Sequence, residues 1–454
     1  MSTNLWEGNG SLLIIRKGNT MKKNVVICLN PFISHVIPTI AIAREVERQG
    51  GKVTFIGFWD MKEVIVNEGF GFLAICSHSN DEILALQRMR KYKRLGEVYK
   101  EIHSEITSLY KEAYAETILI GISRFLIFLL PAMLLDMNIY LYSLCEGSPY
   151  ISIDCPPVTS NYIPLSWKRK MFCCIEWGKR FLRKGISPSQ MYSELFYPWT
   201  EIFRLCKARN ITWKFGVDSI FPNFPVIILG SSHMDFDYSN DNLYAGLCID
   251  QGNNQQNFQE ISAYNEFLRD KSKPLIYCCM GTMSSRYINV NAFYSAIIEL
   301  FRENSQWKLI LSLGKKGAVF NVDCLPSNIL IVDYVNQMEI LNYSSIMITH
   351  GGHGSMKECI CMEVPMLVFP CSYDQRGNAA RIQYHQIGRR STILEKTLKQ
   401  KILGKGKKKI VAADLKPLVV ELLSCEQYRT NICHMHEIIL NDTELMRIVQ
   451  HILE

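Results

Sequence analysis

Short, continuous apolar runs closed by Gly, Pro or Asn alternate along this chain with longer segments whose apolar residues recur at helical spacing. This is the pattern of parallel strands buried on both faces and joined by helices. Val25 to Leu29, bounded by Asn30-Pro31, reads as a first strand, and Pro38 is expected to open an amphipathic helix through Arg48. Lys52 to Gly57 follows Gly50-Gly51 as a second strand, which completes a βαβ unit and leaves His35 on its first strand-to-helix loop. The alternation restarts at Pro274-Leu-Ile-Tyr-Cys-Cys-Met-Gly281-Thr282 and runs through a helix from Val290 to Glu303 and strands at Lys308 to Leu313 and Ile329 to Asp333. A strand at Ser345 to Ile348, a helix at Met356 to Glu363 and a strand at Met366 to Pro370 complete this second series. Two such series predict an α/β protein with two Rossmann-like domains.

Between the two series the pattern is less regular. Asp81 to Glu116 is helical and polar-rich. Thr117 to Asp136 is apolar at a length that invites a membrane-spanning reading, which Arg124, Pro131 and Asp136 oppose. A buried helix followed by a strand from Ala132 to Leu135 is expected instead, with Asp136 closing that strand near His35, and Gly147 to Ile153 as the next strand. The segment from Trp167 to Lys184 mixes bases with large apolar residues, as a membrane-surface helix does, or as a helix covering the sheet with its lysines in solvent. Lys396 to Lys409 reads as a solvated lysine-rich loop, and Glu426 to Leu453 as a last helix.

Composition narrows the class only slightly. With 20% charged and 48% hydrophobic residues the chain is ordinary for a globular enzyme, and a net charge of +7 is too small to argue for nucleic acid. None of the 16 cysteines forms a C-x-x-C pair, and because no secretory signal is read in the sequence they are expected to be reduced thiols in a cytoplasmic protein. Cys433-His434-Met435-His436 offers metal donors, but a helix is not expected to bring them together, so no metal is expected. Residues 1–20 are set aside as a leader or extension.

The chemistry concentrates in Ile348-Thr-His-Gly-Gly-His-Gly-Ser-Met-Lys-Glu358 and Tyr373-Asp374-Gln375. Gly351, Gly352 and Gly354 allow a sharp turn and close approach of a ligand, while the start of the following helix presents N–H groups and the positive end of its dipole. A diphosphate there would also meet His350 and Ser355. Ser355 and Glu358 fit, alternatively, a capping box that serves the helix alone.

From Tyr334 to Gly388, with Tyr334-Val-Asn-Gln337, the glycine-rich run, Val364 to Pro370 and Asp374-Gln375, the chain resembles the nucleotide-sugar-binding signature of family-1 glycosyltransferases, and within them the bacterial macrolide-type branch. His35-Val-Ile-Pro38 is similar to the family's opening, where this histidine is the general base. The resemblance implies the GT-B fold, with an acceptor-binding half at 21–245, a nucleotide-sugar-binding half at 246–425 and a return of 426–454 to the first half. It implies that Asp136 orients His35, that Tyr334 stacks on the base, and that Val335 and Gln337 hold base and ribose. Gly281, Thr282, His350, Ser355 and the glycine turn would hold the diphosphate, Glu358 the ribose hydroxyls, and Asp374 with Gln375 the sugar. Asn336 replaces the usual proline, and His353-Gly354 stand where plant members have Trp-Asn. The implied activity is inverting, metal-independent transfer from a UDP-sugar, with glucose compatible, to a hydroxyl of a hydrophobic natural product. A lipid acceptor at a membrane surface and a non-catalytic nucleotide-sugar-binding partner are the alternatives, and the oligomeric state stays open.

Overall fold

A computed structural model describes residues 23–30, 32–165, 168–184, 197–216, 220–238, 242–249, 265–281, 284–287, 289–314, 325–333, 335–395 and 409–454. In the first half, β1 (Asn24–Cys28), β2 (Lys52–Phe58), β3 (Gly71–Ile75), β4 (Thr117–Gly121) and β5 (Asn138–Ser143) precede a small antiparallel pair, β6 (Trp213–Phe215) and β7 (Ile220–Pro222). With β8 (Val226–Ile228) and β9 (Leu243–Tyr244) the first five form a seven-stranded sheet of order β3-β2-β1-β4-β5-β8-β9, parallel throughout. The second half holds β10 (Leu275–Cys279), β11 (Lys308–Ser312), β12 (Ile329–Val332), β13 (Ile346–Thr349), β14 (Met366–Val368) and β15 (Gly388–Arg390). They form a parallel six-stranded sheet of order β12-β11-β10-β13-β14-β15. This is the GT-B arrangement of two Rossmann-like sheets.

In each sheet the strand order reverses once, between β1 and β4 and between β10 and β13. Such switch points open a crevice at the carboxyl ends of the strands, because the connections on either side leave in opposite directions. The strands are almost wholly apolar, which suits burial beneath helices on both faces.

Several sequence expectations are corrected. The segment from Thr117 to Asp136 is β4 followed by a helix, Phe125–Leu134, and no strand runs from Ala132 to Leu135. An apolar run of this kind fits a buried strand and an all-round buried helix equally well. The helix wins because β4 already fills the sheet position beside β1, and the following chain packs over it. Gly147 to Ile153 adds no strand; only Tyr150 makes an isolated bridge, to Gly216. The helical stretch after Ser79 divides into Asn80–Arg88 and Tyr92–Glu112.

The helix Arg169–Lys184 does not cover the sheet with its large apolar side chains. It buries Cys173 and Trp177 and leaves Met171, Phe172, Ile175 and Phe181 exposed. The last helix is two, Glu426–Leu440 and Glu444–Leu453, because the chain turns between them at Asp442, whose carboxylate accepts the Glu444 N–H at 2.8 Å. The first packs with the second half through Ile432 and Met435, and the second with the first half through Ile448, Val449 and Ile452.

Among the described residues no helix is long and apolar enough to cross a membrane, and every described cysteine is a free thiol. Cys433 and His436 do share a neighbour, Glu363, at 3.3 and 3.7 Å, although no group among the described residues is suited to hold a metal. Residues 1–20, Trp167, Thr282, Tyr334 and residues 396–408 of the lysine-rich loop lie outside the described residues.

Buried charges join the halves. Arg381, from helix Gln375–Tyr384, donates to Asp235 from Nη2 at 2.6 Å and Nε at 3.0 Å, and Tyr238 and Tyr244 donate to the other carboxylate oxygen at 2.8 and 2.5 Å. Removing one partner of such a pair strands the other charge in the interior. Arg381→Met is therefore expected to lower stability by about 3 kcal/mol, read from urea denaturation against the parent protein.

Candidate functional site

His35 lies in the first turn of helix Ile33–Arg48, not on the preceding loop. Its N–H bonds the Phe32 carbonyl at 2.8 Å, and the Phe32 ring stands edge-on to the imidazole at a centroid distance of 5.2 Å. Pro38 lies inside this helix and does not open it as expected; past the first turn, its missing N–H removes one bond of the i→i−4 ladder. The histidine thus stands beyond the carboxyl end of β1, at the switch point beside β4.

Asp136 is not its orienter. It sits in the turn before β5, at the amino edge of the same sheet, where it pairs with Arg209 at 3.1 Å and leaves 86% of its side chain exposed. Five-residue strands separate the two edges by roughly 16 Å. The expected contact depended on the strand that proved to be a helix.

In the second half the switch point brings His350 and Gly281 together from β13 and β10. A Cβ on Gly281 would fall 2.5 Å from His350 Cε1, and one on Gly352 2.5 Å from Nε2, so two glycines frame the imidazole. Gly281 also takes φ +76°, a backbone that side chains rarely adopt. Burial lowers the His350 pKa to about 4, so the ring is neutral near pH 7 and offers an N–H without a charge.

Helix His353–Cys361 begins at Gly352, which provides no side-chain cap. Ser355 therefore lies within the first turn, and the capping-box alternative with Glu358 is not formed. Instead Gln337 donates from Nε2 to Ser355 Oγ at 3.2 Å and to Glu358, which gathers three expected ligand-binding side chains into one cluster. Asn336, the substitute for the usual proline, caps helix Gln337–Leu341 by accepting the Glu339 N–H at 3.4 Å. The turn is kept by a hydrogen bond in place of a ring. Val335 beside it is buried, and Gly354 is exposed on the helix start.

Asp374 and Gln375 open helix Gln375–Tyr384. Gln375 is held from both ends of its amide: Oε1 accepts the N–H groups of Cys371 and Ser372 at 2.9 Å, and Nε2 donates to Tyr287 at 2.8 Å. Asn378 ties this corner to the glycine turn, donating to the Gly351 carbonyl at 2.9 Å and to Asp374 at 3.1 Å. Burial raises Asp374 to about 6 against the Asn378 hydrogen bond, and Glu358 to about 7 against the Gln337 hydrogen bond.

Sequence reasoning missed what joins the two switch points. Glu146, just beyond β5, contacts His353 Nε2 at 2.8 Å across the halves. Burial raises Glu146 to about 8 and lowers His353, so both shifts favour an uncharged hydrogen bond. The carboxyl ends of the two sheets therefore meet three residues from His350. Glu146 and His353 are 207 positions apart, and nothing local announces the pair.

Because Glu358 titrates higher in the folded chain than its ordinary 4.5, its favourable contribution is complete below about 4.5 and is lost as pH rises through about 7. Glu358→Gln, which still accepts from Gln337, is expected to stabilise the unliganded protein at pH 8 by on the order of 1 kcal/mol and to give no gain at pH 4.5, measured by thermal unfolding at both.

Residues 308–416 match the Erythromycin biosynthesis protein CIII-like C-terminal domain family. Oleandomycin glycosyltransferase of Streptomyces antibioticus is 30% identical over 116 residues, 26% of this chain and 27% of that protein, so this match spans about a quarter of the relative's length. Zeaxanthin glucosyltransferase of Pantoea ananas is 22% identical over 80% of this chain and 83% of its own. In structure the chain is similar to the glycotransferase of kitacinnamycin, with a TM-score of 0.68, 17% identity and coverage of 95% and 98%. Part of the second half thus matches a macrolide-type glycosyltransferase family model, and the chain as a whole has the fold of bacterial natural-product glycosyltransferases.

Proposed function

We propose that the chain is an inverting, metal-independent glycosyltransferase that moves a sugar from a UDP-sugar to a hydroxyl of a hydrophobic natural-product acceptor. In this proposal residues 21–245 serve the acceptor, residues 246–425 the donor, and residues 426–454 brace the first half. One observation carries it: His35 and the His350 turn stand at the switch points of two sheets whose carboxyl ends meet at the Glu146–His353 contact.

The donor's diphosphate lies against the uncapped start of helix His353–Cys361, where N–H groups, Ser355 and the neutral His350 N–H bond its oxygens. The Gln337, Ser355 and Glu358 cluster takes the ribose, and the glycan hydroxyls face Asp374, with Gln375 held rigid beside it. A ribose bearing both hydroxyls suits Glu358, which favours a uridine over a deoxythymidine donor. Glucose is compatible with the Asp374 corner.

His35 removes the acceptor proton while the acceptor oxygen bonds the anomeric carbon from the face opposite the diphosphate. The bond from that carbon to the diphosphate oxygen breaks, and the negative charge that develops passes to the helix start. The proton stays on His35 until it is released to solvent. Asp136 takes no part.

His35→Ala is expected to lower transfer by about two to four orders of magnitude, measured as UDP released from UDP-glucose with a panel of hydrophobic alcohols. Calorimetric binding of UDP should be unchanged in that variant. Undiminished turnover would remove His35 as the base.

A further inference from the structure

Helix Arg169–Lys184 turns its apolar side chains the wrong way for a helix that only packs. Residues on a helix follow one another by 100°, which places Phe181, Met171, Ile175 and Phe172 on one half of its circumference. These four are 46%, 50%, 41% and 38% exposed, and Leu165 just ahead of the helix is 75% exposed. The opposite side holds Cys173 and Trp177, both buried, with the indole N–H donating to the Cys155 carbonyl at 2.9 Å. That anchor fixes which face looks outward.

The helix is also strongly basic. Residues 168–184 contain seven Lys or Arg and a single acid, Glu176. Glu176 is turned inward, where it accepts from Ser160 at 2.6 Å and from Lys179 at 2.7 Å. Lys170 and Lys179, on opposite rims of the face, keep 62% and 53% of their side chains in solvent although each has an acidic neighbour. An exposed apolar stripe rimmed by long basic side chains is what an interfacial helix presents to a bilayer: the stripe enters the acyl boundary and the bases reach the phosphates.

We propose that this face docks on an anionic phospholipid surface. Charge complementarity selects that occupant over a second copy of the chain, since a two-fold contact through the same face would set its bases against themselves. The proposal does not rest on the transfer reaction above, because no residue of the helix belongs to the donor cluster.

Co-sedimentation with vesicles of phosphatidylglycerol and phosphatidylcholine, compared with phosphatidylcholine alone at low and high salt, tests it. The full chain should pellet with the anionic vesicles, release as salt rises, and stay in the supernatant with the zwitterionic ones. Phe172→Asp with Ile175→Asp should abolish pelleting, and Lys170→Gln with Lys179→Gln should weaken it by roughly tenfold. Unchanged thermal unfolding and UDP binding in these variants would show that the fold persists. Failure of the parent protein to pellet, equal retention on neutral vesicles, or pelleting undiminished by the aspartates would each overturn the proposal. So would sedimentation velocity showing a dimer that the aspartates dissolve, which would assign the face to a second copy.

Discussion

Everything at this site depends on two parallel sheets keeping their carboxyl ends face to face, and buried polar contacts between the halves impose that arrangement. Asp235 receives Arg381, Tyr238 and Tyr244, while Glu146 meets His353. Such contacts add little net stability, because desolvation offsets most of their attraction. Their effect is selective. Any other docking would leave a guanidinium or a carboxylate buried without a partner, at a cost of several kcal/mol, whereas shifted apolar surfaces would cost much less.

The side chains around the glycine turn are buried, and their ionisable groups respond by shedding charge. His350 loses its proton, and Glu358 and Asp374 hold theirs further into the neutral range than free carboxyls do. In the proposed donor site an incoming diphosphate would therefore meet helix N–H groups and an uncharged imidazole, with less repulsion from the nearby acids than their number implies. Its negative charge would raise the acids further, so Glu358 would retain a proton and could donate to a ribose oxygen as well as accept. Binding and protonation would then be coupled through one small, buried space.

How far this was legible in the sequence follows from how local each feature is. The glycine turn, helix start and Asp374 corner lie within about fifty residues, and their geometry comes from backbone rules that short motifs express. Their placement agreed with the strands read from brief apolar runs between β10 and β14. The run from Thr117 to Asp136 is punctuated at Gly121 and Pro131, but a helix apolar on every side cannot be told from a buried strand by period alone. Asp136 was misplaced with it, to the wrong edge of the sheet. Asp235 with Arg381, 146 positions apart, had no local signature either, because tertiary packing alone brings them together.

The exposed helix differs from the rest in what constrains its residues. Most helices here answer to a sheet below them, and their apolar positions are spent on that contact. Arg169–Lys184 is held by Cys173, Trp177 and the Glu176–Ser160 contact, and packing within the chain leaves Met171, Phe172, Ile175 and Phe181 between 38% and 50% exposed. Solvent alone would favour polar side chains at those positions, since exposed aromatic and aliphatic groups gain nothing there. Met171, Phe172, Ile175 and Phe181, set among lysines and arginines, satisfy a surface that is apolar inside and negatively charged at its rim. The composition of this helix is thus explained from outside the fold, whereas that of the donor side is explained from within it.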